Sequence, residues 1–462
     1  MMKKMKIYYF IPSTLLFSLI FSQFYSFSDN TRLTESLNNQ KFQEVAISNN
    51  YIHLVWVSIS QNYNDKNIMY SKSDDFGESF SSPIQINFTN NNIVAYSQSG
   101  PKIAAHENKV CVTYTDNRNG VTSIYLNVSY DYGETWEEEI VIADTPYVNM
   151  YQDIETDEFG NFHIVYFNYG ADYHLEDVRY RFSPSGNIYF DDSYPVGIVD
   201  ETQEPCDCCQ PDLEIDSNGD VYLAYRNNIL NNRDTFLAIK RNGQSAFSEY
   251  YQASSFNDYV TFCPSSGPTI DIKDNSMAVA YTVYHTQNGY ADISSLDEIV
   301  FSNPINLNTE SSGFPNYPYV AIDGNAHIVW ADQTSGNWDV YYGMRDIETG
   351  TMQNIQKIND DDTTYIQKDQ TIYMHDDTLY VFWSDQRNGN YEIYLSKGEG
   401  ITITLGDVNQ DLSIDILDII LVVSYILGQE SPDNTQIFAS DLNADSIINI
   451  QDIILLLDII LN

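Results

Sequence analysis

The sequence predicts a mainly β fold, a seven-bladed β-propeller, followed by a small α-helical domain at the C-terminal end. A short apolar phrase that ends in an aromatic residue recurs seven times, at intervals of 49 to 59 residues. Strand-like segments flank each phrase, so that one unit holds about four strands, which is typical of propeller blades. The seven aromatic residues are Trp56, Tyr114, Tyr166, Tyr225, Tyr281, Trp330 and Trp383.

The number of blades follows from the number of these phrases. A single four-stranded sheet cannot bury both of its faces, whereas a closed ring of such sheets can. Seven phrases therefore predict seven blades, and six blades are the alternative if one unit has been assigned wrongly. The composition agrees with many short strands, since aromatic residues make up 14% of the chain and 37 of them are tyrosine.

The formal charge of the chain is −43, from 22 basic and 65 acidic residues. A surface of this sign repels nucleic acid and anionic lipid, because both are themselves negative. We therefore expect neither a nucleic acid nor a membrane surface as a partner.

Residues 1–28 are predicted to be a secretory signal. Three lysines at positions 3, 4 and 6 precede an apolar run at 7–20 and a small, polar stretch at 22–28. This order of basic, apolar and polar segments is typical of signal peptides. The run is shorter than the roughly 20 residues that span a membrane, so a single N-terminal anchor is the less favoured alternative. We expect a secreted or cell-surface protein with no membrane span.

Residues 29–399 are assigned to the propeller. The seventh unit stops near Lys397 without a fourth strand, whereas the segment TRLTESL at 31–37 resembles the fourth strands of the other units. This segment is predicted to complete the last blade and so to close the ring.

Residues 400–462 are assigned to a second domain, since no Lys or Arg follows Gly400 and the pattern changes to apolar helices. Two 12-residue segments place oxygen-bearing side chains at positions 1, 3, 5, 9 and 12 and a main-chain carbonyl at position 7. Calcium takes six to eight oxygen ligands, which such loops supply. The predicted ligands of two calcium ions are Asp407, Asn409, Asp411, Ser413, Asp415 and Asp418, then Asp441, Asn443, Asp445, Ile447, Asn449 and Asp452.

Two such loops 34 residues apart, each followed by an apolar helix, resemble the dockerin family over nearly all of 405–462. The resemblance implies a domain that folds on calcium and binds a cohesin module. Position 6, glycine in EF-hand loops, is here Leu412 and Ser446. Positions 10 and 11, which read the partner in cellulosomal dockerins, are Ile416–Leu417 and Ile450–Gln451 instead of a Ser/Thr pair. The missing glycine should weaken at least the first calcium site, and the residues at positions 10 and 11 argue against a cellulosome-type cohesin. The alternative is a calcium-stabilised domain that docks to its own propeller or aids surface retention.

Two segments in the propeller, SDDFGESF and SYDYGETW, match the Asp-box pattern S-x-D-x-G-x-x-F/W. They hold Ser73, Asp75, Gly77 and Phe80, then Ser129, Asp131, Gly133 and Trp136. On these residues the region 30–399 resembles sialidase-like (BNR-repeat) propellers, in which the boxes lie between the third and fourth strands, away from the active site. We expect a structural role, because Asp can accept backbone N–H bonds across the turn and Gly can take a positive φ.

Four cysteines fall in two loops that join one blade to the next: Cys206, Cys208 and Cys209 in PCDCCQPD, and Cys263 in FCPSSGP. The blade assignment predicts that they converge near the axis. Export favours a disulfide that ties adjacent blades, and a soft-metal site is the alternative, because three thiols within four residues do not pair off easily. The combination of a C-x-C-C motif with a CP-x-x-GP motif resembles that of sialidase-like exported proteins of unassigned activity. Cys111, within an apolar strand, is expected to be a buried thiol.

The resemblance to sialidases raises the question of their catalytic residues, which include three arginines, a Tyr–Glu pair and an Asp. The Arg-Ile-Pro phrase that opens their first blade is missing here, so sialidase activity itself is not expected. The weak catalytic candidates are Asp153, Arg118, Arg226 and Arg387. Arg118 and Arg387 belong to a repeated D-x-R-x-G phrase, for which a tight turn held by an Asp–Arg pair is the alternative, and Asp153 is equally compatible with a turn.

The leading hypothesis is an exported, calcium-binding protein whose propeller binds a carbohydrate, with the C-terminal module tethering it to a cohesin-like or surface protein. Whether the propeller also hydrolyses its ligand, as a glycoside hydrolase with paired carboxylates in polysaccharide breakdown, is left open. The alternatives are a non-catalytic adhesion or scaffold propeller and a metal-carrying propeller with cysteine ligands.

Overall fold

The computed structural model describes residues 21–186, 188–197, 204–308, 313–347, 349–361, 364–443 and 447–461. Two compact units divide the chain: one is Phe27–Glu399, and the other combines Met1–Ser26 with Gly400–Asn462. Residues 1–20 of the predicted signal lie outside the described part, and the next seven residues form a strand. The signal assignment itself stays a prediction.

Antiparallel strands make up the first unit, whereas the strand Phe21–Phe27 lies in the other unit except for its last residue. In chain order the strands are β1 (Phe21–Phe27), β2 (Thr31–Arg32), β3 (Asn39–Ser48), β4 (Tyr51–Ile59), β5 (Lys66–Ser73), β6 (Ile84–Gln85), β7 (Lys102–His106), β8 (Lys109–Asp116), β9 (Ser123–Ser129), β10 (Ile140–Val141), β11 (Asn149–Thr156), β12 (Phe162–Tyr169), β13 (Leu175–Ser183), β14 (Tyr194–Pro195), β15 (Asp212–Ile215), β16 (Val221–Arg226), β17 (Thr235–Lys240), β18 (Glu249–Gln252), β19 (Thr269–Lys273), β20 (Ser276–Val283), β21 (Asn288–Ser295), β22 (Ile305–Asn306), β23 (Asn316–Ile322), β24 (Ala326–Asp332), β25 (Asp339–Arg345), β26 (Met352–Lys357), β27 (Gln367–His375), β28 (Thr378–Asp385) and β29 (Glu392–Thr404).

These strands form seven sheets within the described residues, which confirms the seven predicted blades. Blades I to VI each contain four consecutive strands, beginning with β3, β7, β11, β15, β19 and β23, and blade VII contains β27 to β29. The first strand of each blade contacts the first strand of the next, and β27 contacts β3. The ring is therefore closed, with these seven strands around its axis.

Blade VII is completed from the N-terminal side. Thr31 pairs with Leu395 and Arg32 with Tyr394, so β2 is a neighbour of β29 as the sequence predicted. Only these two residues of the 31–37 segment are strand, and β1 also pairs with β29.

The hydrophobic core lies between neighbouring blades. The seven recurrent aromatic residues are on the second strand of their blades and are at most 2% exposed. Apolar clusters combine residues of adjacent blades, for example Val55 and Tyr114 of blades I and II, or Phe382 and Trp56 of blades VII and I. Each buried aromatic side chain removes about 150–250 Å² from water, so this repeated position contributes strongly to blade packing.

The two Asp-boxes lie between the third and fourth strands of blades I and II, as predicted. In the second box, Asp131 Oδ1 accepts the Thr135 N–H at 2.8 Å, and the Gly133 N–H donates to Ser129 Oγ at 2.8 Å. Gly133 has φ +78°, and a Cβ there would collide with the Tyr70 hydroxyl. Trp136 packs edge-on against Tyr70, 4.9 Å between ring centroids. The box thus fastens one blade to the next, and its role is structural.

In the C-terminal unit the helices are α1 (Ile416–Ile426), α2 (Asn434–Ser440) and α3 (Ile450–Leu461). The apolar pattern predicts helices over 419–427 and 453–461, so α1 and α3 each begin three residues earlier than predicted, and α2 was not predicted. Asp415 caps α1 by accepting the Leu417 N–H at 2.7 Å. The buried core of the unit includes Val408, Val422, Ala439 and Leu456. Among the described residues, no helix has the length and apolar character that a membrane span requires.

Candidate functional site

The innermost strands of four blades each contain a β-bulge near their N-terminal end. Their pairing registers shift just before Glu44, Asp153, Tyr319 and Thr371. Each bulge contains a non-glycine residue at positive φ, between 54° and 58°: Phe42, Tyr151, Tyr317 and Asp369. Bulges and strained backbone are frequent beside functional sites, because they redirect side chains. The strained backbone therefore makes the end of the axis where these innermost strands begin the candidate functional site.

Glutamine side chains connect neighbouring blades at the same level. Gln152 Nε2 donates to the Gly100 carbonyl at 3.0 Å, and Gln210 Nε2 donates to the Gln152 carbonyl at 2.9 Å. Gln43 donates to the carbonyl of Asp369, and Gln370 to that of Tyr317. Sequence reasoning missed these residues, although the repeated phrases FQE, YQD and DQT at the start of inner strands were a visible signal.

The strand registers place seven side chains in one tier around the axis. Each pairs with the residue that precedes a recurrent aromatic residue, as Glu44 pairs with Val55 and Asp153 with Val165. The tier consists of Glu44, Lys102, Asp153, Asp212, Thr269, Tyr319 and Thr371. Two residues further along the strands, Glu155, Glu214 and Asp271 add three carboxyl groups.

Lys102 is the amine at the centre of these acids. Its Nζ lies 3.0 Å from Glu44 Oε2, 3.5 Å from Asp153 Oδ1 and 3.9 Å from Asp212 Oδ1. The Tyr373 hydroxyl donates to Glu44 Oε1. We call the six acids Glu44, Asp153, Glu155, Asp212, Glu214 and Asp271 the axial acid cluster; they line a cavity of about 150 Å³.

One lysine cannot neutralise six carboxylates, so the pKa values of the cluster shift. Burial raises the pKa of Asp271 to about 7. Burial, reinforced by neighbouring carboxylates, raises the pKa of Glu214 well above its usual range. Burial also raises the pKa of Asp153, although Lys102 opposes the shift. For Lys102 itself, burial disfavours the charge, but Asp153 and Glu44 outweigh it and raise its pKa. The cluster therefore holds protons near neutral pH around a charged lysine.

Above the cluster, a smaller cavity of about 50 Å³ opens between the inter-blade loops. We call it the axial mouth and define it by Phe42, Gln98, Gln210, Tyr317, Asp369 and Gln370. Gln370 Oε1 and the neighbouring Thr371 Oγ1 are buried without a hydrogen-bond partner. Aromatic faces beside amide and carboxylate groups suit a ligand with C–H faces and hydroxyl groups, such as a sugar.

The predicted catalytic candidates do not meet. Asp153 lies on the axis, 3% exposed, where its Oδ2 accepts the Leu213 N–H of the next blade at 2.8 Å. Arg118 pairs with Asp116 at 2.8 Å and with Glu139, and Arg387 pairs with Asp385 at 2.7 Å and with Asp360.

The two D-x-R-x-G phrases therefore form turns, the alternative that the sequence left open. Arg226 is buried beside Asp258, 3.5 Å away. The three arginines lie in blades II, IV and VII and share no ion-pair partner among the described residues. In this arrangement the three arginines do not lie together to bind one carboxylate group, as the arginines of sialidases do.

The four loop cysteines do converge. Cys208 and Cys263 form a disulfide between the loops that lead into blades IV and V, as the first-choice prediction stated. Cys206 and Cys209 are buried thiols with their sulfur atoms 2.7 Å apart. Burial raises the pKa of Cys206, but the Cys209 hydrogen bond and the Arg233 charge outweigh it and bring the pKa to about 7. Cys111 is a buried thiol, as expected.

The spacing of the cysteine sulfur atoms is compatible with a soft-metal site, but their bonding and surroundings oppose one. The Sγ atoms of Cys206, Cys208 and Cys209 lie within 4.8 Å of one another, which could hold a metal ion. However, Cys208 is already in the disulfide, and Arg233 Nη1 points at Cys206 Sγ from 2.8 Å. A guanidinium at that distance repels a cation, so the geometry favours the disulfide interpretation.

In the first predicted calcium loop, the two end carboxylates are buried: Asp407 is 4% and Asp418 0% exposed. Asp418 Oδ1 accepts the Val408 N–H at 2.8 Å, and its Oδ2 accepts the Asp415 N–H at 2.8 Å. Asp407 Oδ2 accepts the Leu412 N–H at 2.9 Å. No basic residue follows Gly400 in the sequence, and no ion pair of Asp407 or Asp418 is found within the described residues, so a bound cation would offset these buried charges. An all-oxygen donor set of this kind fits calcium.

The second loop repeats this arrangement. Asp452, 0% exposed, accepts the Leu442 N–H at 3.0 Å and the Asn449 N–H at 2.8 Å, the positions equivalent to those held by Asp418. Asn449 Nδ2 contacts the Ile447 carbonyl at 3.0 Å. The predicted ligand Asp445 lies outside the described residues. The described donors of this loop therefore fit the same cation.

Comparison with known families decides what this domain is. Residues 405–461 match the model of the dockerin type I domain. The C-terminal unit contains a dockerin type I domain. No curated protein matches the chain in sequence.

Several solved structures are similar to the chain. Trypanosoma rangeli sialidase bound to the inhibitor DANA is 9% identical, with a TM-score of 0.42, over 88% of this chain and 62% of that chain. Polysaccharide lyase Uly1 is 9% identical, with a TM-score of 0.48, over 79% of this chain and 91% of the lyase. An α-L-arabinofuranosidase of Fusarium graminearum is 12% identical, with a TM-score of 0.46, over 82% of this chain and 99% of that enzyme. This chain thus spans less than two thirds of the sialidase.

The first dockerin loop carries a strained residue that can be tested. Leu412 stands where an EF-hand loop has glycine, with φ +70° and a side chain that is 93% exposed. Left-handed backbone costs a non-glycine residue about 1–2 kcal/mol, partly offset by the entropy that a glycine loses on ordering. We expect Leu412→Gly to tighten calcium binding at this loop about two- to fivefold.

Calorimetric calcium titration of the full chain measures this change. Leu412→Ala is the matched control, because it removes the same exposed side chain but keeps the strain. Equal gains in both variants would contradict the strain argument.

Proposed function

We propose that the chain is an exported, calcium-binding protein whose propeller binds a neutral glycan at the axial mouth and whose dockerin domain tethers it. The observation that carries the proposal is the composition of the axis. An aromatic and amide-lined mouth lies directly above a cluster of carboxyl groups with Lys102 at its centre.

The excess of acids determines the class of glycan. A carboxylated sugar would approach the six acids of the axial acid cluster, where Lys102 is the contacting cation, and Lys41 is already paired with Asp369 at 3.3 Å in the mouth. Like charges at short range disfavour binding. Neutral hydroxyl groups instead meet the aromatic and amide side chains of the axial mouth without this repulsion. Neutral sugars are therefore preferred over sialic or uronic acids.

The hydrolytic form of this proposal needs one carboxyl that holds a proton and one that is ionised. Asp153 is the candidate acid, because burial raises its pKa. Glu44, 3.0 Å from the Lys102 amine, is the candidate base. Both lie in the same tier below the mouth.

A second candidate function is a binding propeller without catalysis. Three acids each accept a backbone N–H from the next blade: Asp153 from Leu213, Asp212 from Ile270 at 2.7 Å, and Asp271 from Ile322 at 2.7 Å. Such contacts brace the ring whether or not chemistry takes place. This bracing favours an adhesion or scaffold role if no turnover is found.

Binding and hydrolysis screens with neutral and carboxylated glycans test the proposal. We expect neutral glycans to bind at least tenfold more tightly. If the propeller is a hydrolase, Asp153→Asn should lower turnover at least about 100-fold, the usual contribution of a general acid. Asp192→Asn, at an exposed acid outside the mouth, should change neither property. A preference for acidic glycans would refute the proposal, and binding without turnover would select the scaffold form.

The tethering partner is proposed as a cohesin-like protein with an apolar contact surface. At positions 10 and 11 of the loops, which contact the partner in cellulosomal dockerins, Ile416 is 57%, Leu417 51% and Ile450 68% exposed. Exposed apolar groups at these places suit a partner that buries them, rather than one that hydrogen-bonds hydroxyl groups.

A further inference from the structure

The four loop cysteines form a chain of sulfur contacts that the proposed function does not use. Cys206 Sγ lies 2.7 Å from Cys209 Sγ and 3.6 Å from Cys208 Sγ. Cys208 is bonded to Cys263, whose side chain is exposed. A dithiol and a disulfide are thus in contact through Cys206.

The surroundings of Cys206 indicate that it is a thiolate. Arg233 is 6% exposed, and its Nη1 lies 2.8 Å from Cys206 Sγ. Within the described residues no carboxylate forms an ion pair with Arg233. A buried guanidinium without an anion is strongly unfavourable, so a sulfur anion is the group that balances it. Cys209 then donates its S–H to that anion.

Arg226 adds positive charge on the same side. It is 1% exposed. Asp258 Oδ2 lies 3.5 Å from its Nη1, and neither its Nε nor its Nη1 makes a hydrogen bond. Two neutral thiols would leave Arg233 without a counter-ion. The two arginines therefore favour an anionic Cys206 beside the Cys208–Cys263 bridge.

We propose that these four cysteines are a thiol–disulfide exchange centre in which Cys206 attacks the Cys208–Cys263 bridge. In the first step the Cys206 thiolate bonds to Cys208 Sγ, the Cys208–Cys263 bond breaks, and its electron pair leaves on Cys263 as a thiolate. In the second step Cys209 gives its proton to the Cys263 thiolate, bonds to Cys206 and expels Cys208 as a thiolate.

The exchange needs no external oxidant, since one disulfide and two free sulfurs are present before and after. As a result, the disulfide between the loops that lead into blades IV and V is replaced by one within the loop that leads into blade IV. The loop that carries Cys263 is then released, and an exposed thiol appears at its tip.

Alkylation of the intact protein tests the exchange. The chain is incubated with N-ethylmaleimide, quenched in acid at set times and mapped by mass spectrometry without reduction. Label should accumulate on Cys263 in the wild type, and at least tenfold more slowly in Cys206→Ser and Arg233→Met. Cys111→Ser is the matched control, because it removes a buried thiol far from the bridge in sequence, and should leave the rate unchanged.

A trapping variant keeps the proposal testable if the others fold poorly, as judged by tryptophan fluorescence. Cys209→Ser blocks the second step, so a Cys206–Cys208 disulfide with labelled Cys263 should build up. Wild-type protein that carries both a Cys206–Cys209 and a Cys208–Cys263 disulfide would overturn the proposal. So would equal labelling of Cys263 in the wild type and Cys206→Ser, or a soft metal bound by the cysteines of the purified protein.

Discussion

Removal of calcium is expected to unfold the dockerin domain and to leave the propeller folded. Residues 401–462 include ten acidic and no basic residues. A domain of this size gains only about 3–5 kcal/mol from its core. Calcium at 100 times its dissociation constant adds about 2.7 kcal/mol per occupied site. With both proposed loops occupied, the ions would supply about as much stability as the whole apolar core, and the domain is not expected to stay folded without them.

Two optical probes separate the units. All five tryptophans precede residue 400, whereas the helices are in the dockerin domain. Chelation with EGTA should abolish most of the helical circular dichroism and leave the tryptophan emission and its thermal transition unchanged. Restored calcium should return the helical signal. Helices that persist in EGTA would contradict the expectation.

Variants at the ends of the loops assign the effect to the predicted ligands. Asp418→Asn and Asp452→Asn remove the buried carboxylate at position 12 of each loop. Each should raise the calcium concentration at half-refolding at least about tenfold, because the charge of the ligand set determines affinity. Glu430→Gln removes one charge from an exposed position outside the loops and should change the midpoint little.

The elements that could be predicted are those specified by local sequence. The recurrent aromatic residues, the Asp-box turns and the D-x-R-x-G turns each depend on a few adjacent residues. The calcium loops are of the same kind. Helix α2 was missed because it has only seven residues, although the Asp433–Gln436 capping box was a local signal for its start.

The axial site depends on register, which a single strand does not reveal. Glu44 and Asp153 lie in one tier with Lys102 because a bulge moves each of them to the position that Lys102 occupies on its own strand, which has no bulge. Nothing in the sequence around Lys102 indicates that three acids from other blades surround it. The pairing of Cys208 with Cys263 likewise depends on which loops are adjacent. The sequence alone left a disulfide between adjacent blades and a soft-metal site as alternatives.

The axial acid cluster should make the propeller more stable in mild acid than in mild alkali. Asp271, with a pKa of about 7 in the folded chain, binds a proton more tightly than in the unfolded chain, where its pKa is about 3.9. Its stabilising effect is complete below about pH 4 and decreases between about pH 4 and pH 7, by up to about 1.4 kcal/mol per pH unit. Glu214 shifts in the same direction.

Lys102→Met is therefore expected to be strongly destabilising in alkali and weakly so in acid. At pH 8 the loss of the amine leaves several buried carboxylates without a cation, which costs about 3–5 kcal/mol. At pH 5 the same carboxyl groups take up protons, and we expect a loss of about 1–2 kcal/mol. Urea unfolding followed by tryptophan fluorescence at both pH values measures the difference.

Glu214→Gln provides the opposite test, because it removes one of the repelling charges without changing the shape of the side chain. It should stabilise the propeller at pH 8 by about 1–2 kcal/mol and change little at pH 5. Lys397→Met is the matched control: Lys397 pairs with the exposed Glu78, and surface pairs contribute at most about 1 kcal/mol. If Lys102→Met lost the same stability at both pH values, the axis would be held by packing around the lysine stem. A loss confined to pH 8 would show that the lysine is retained for its charge.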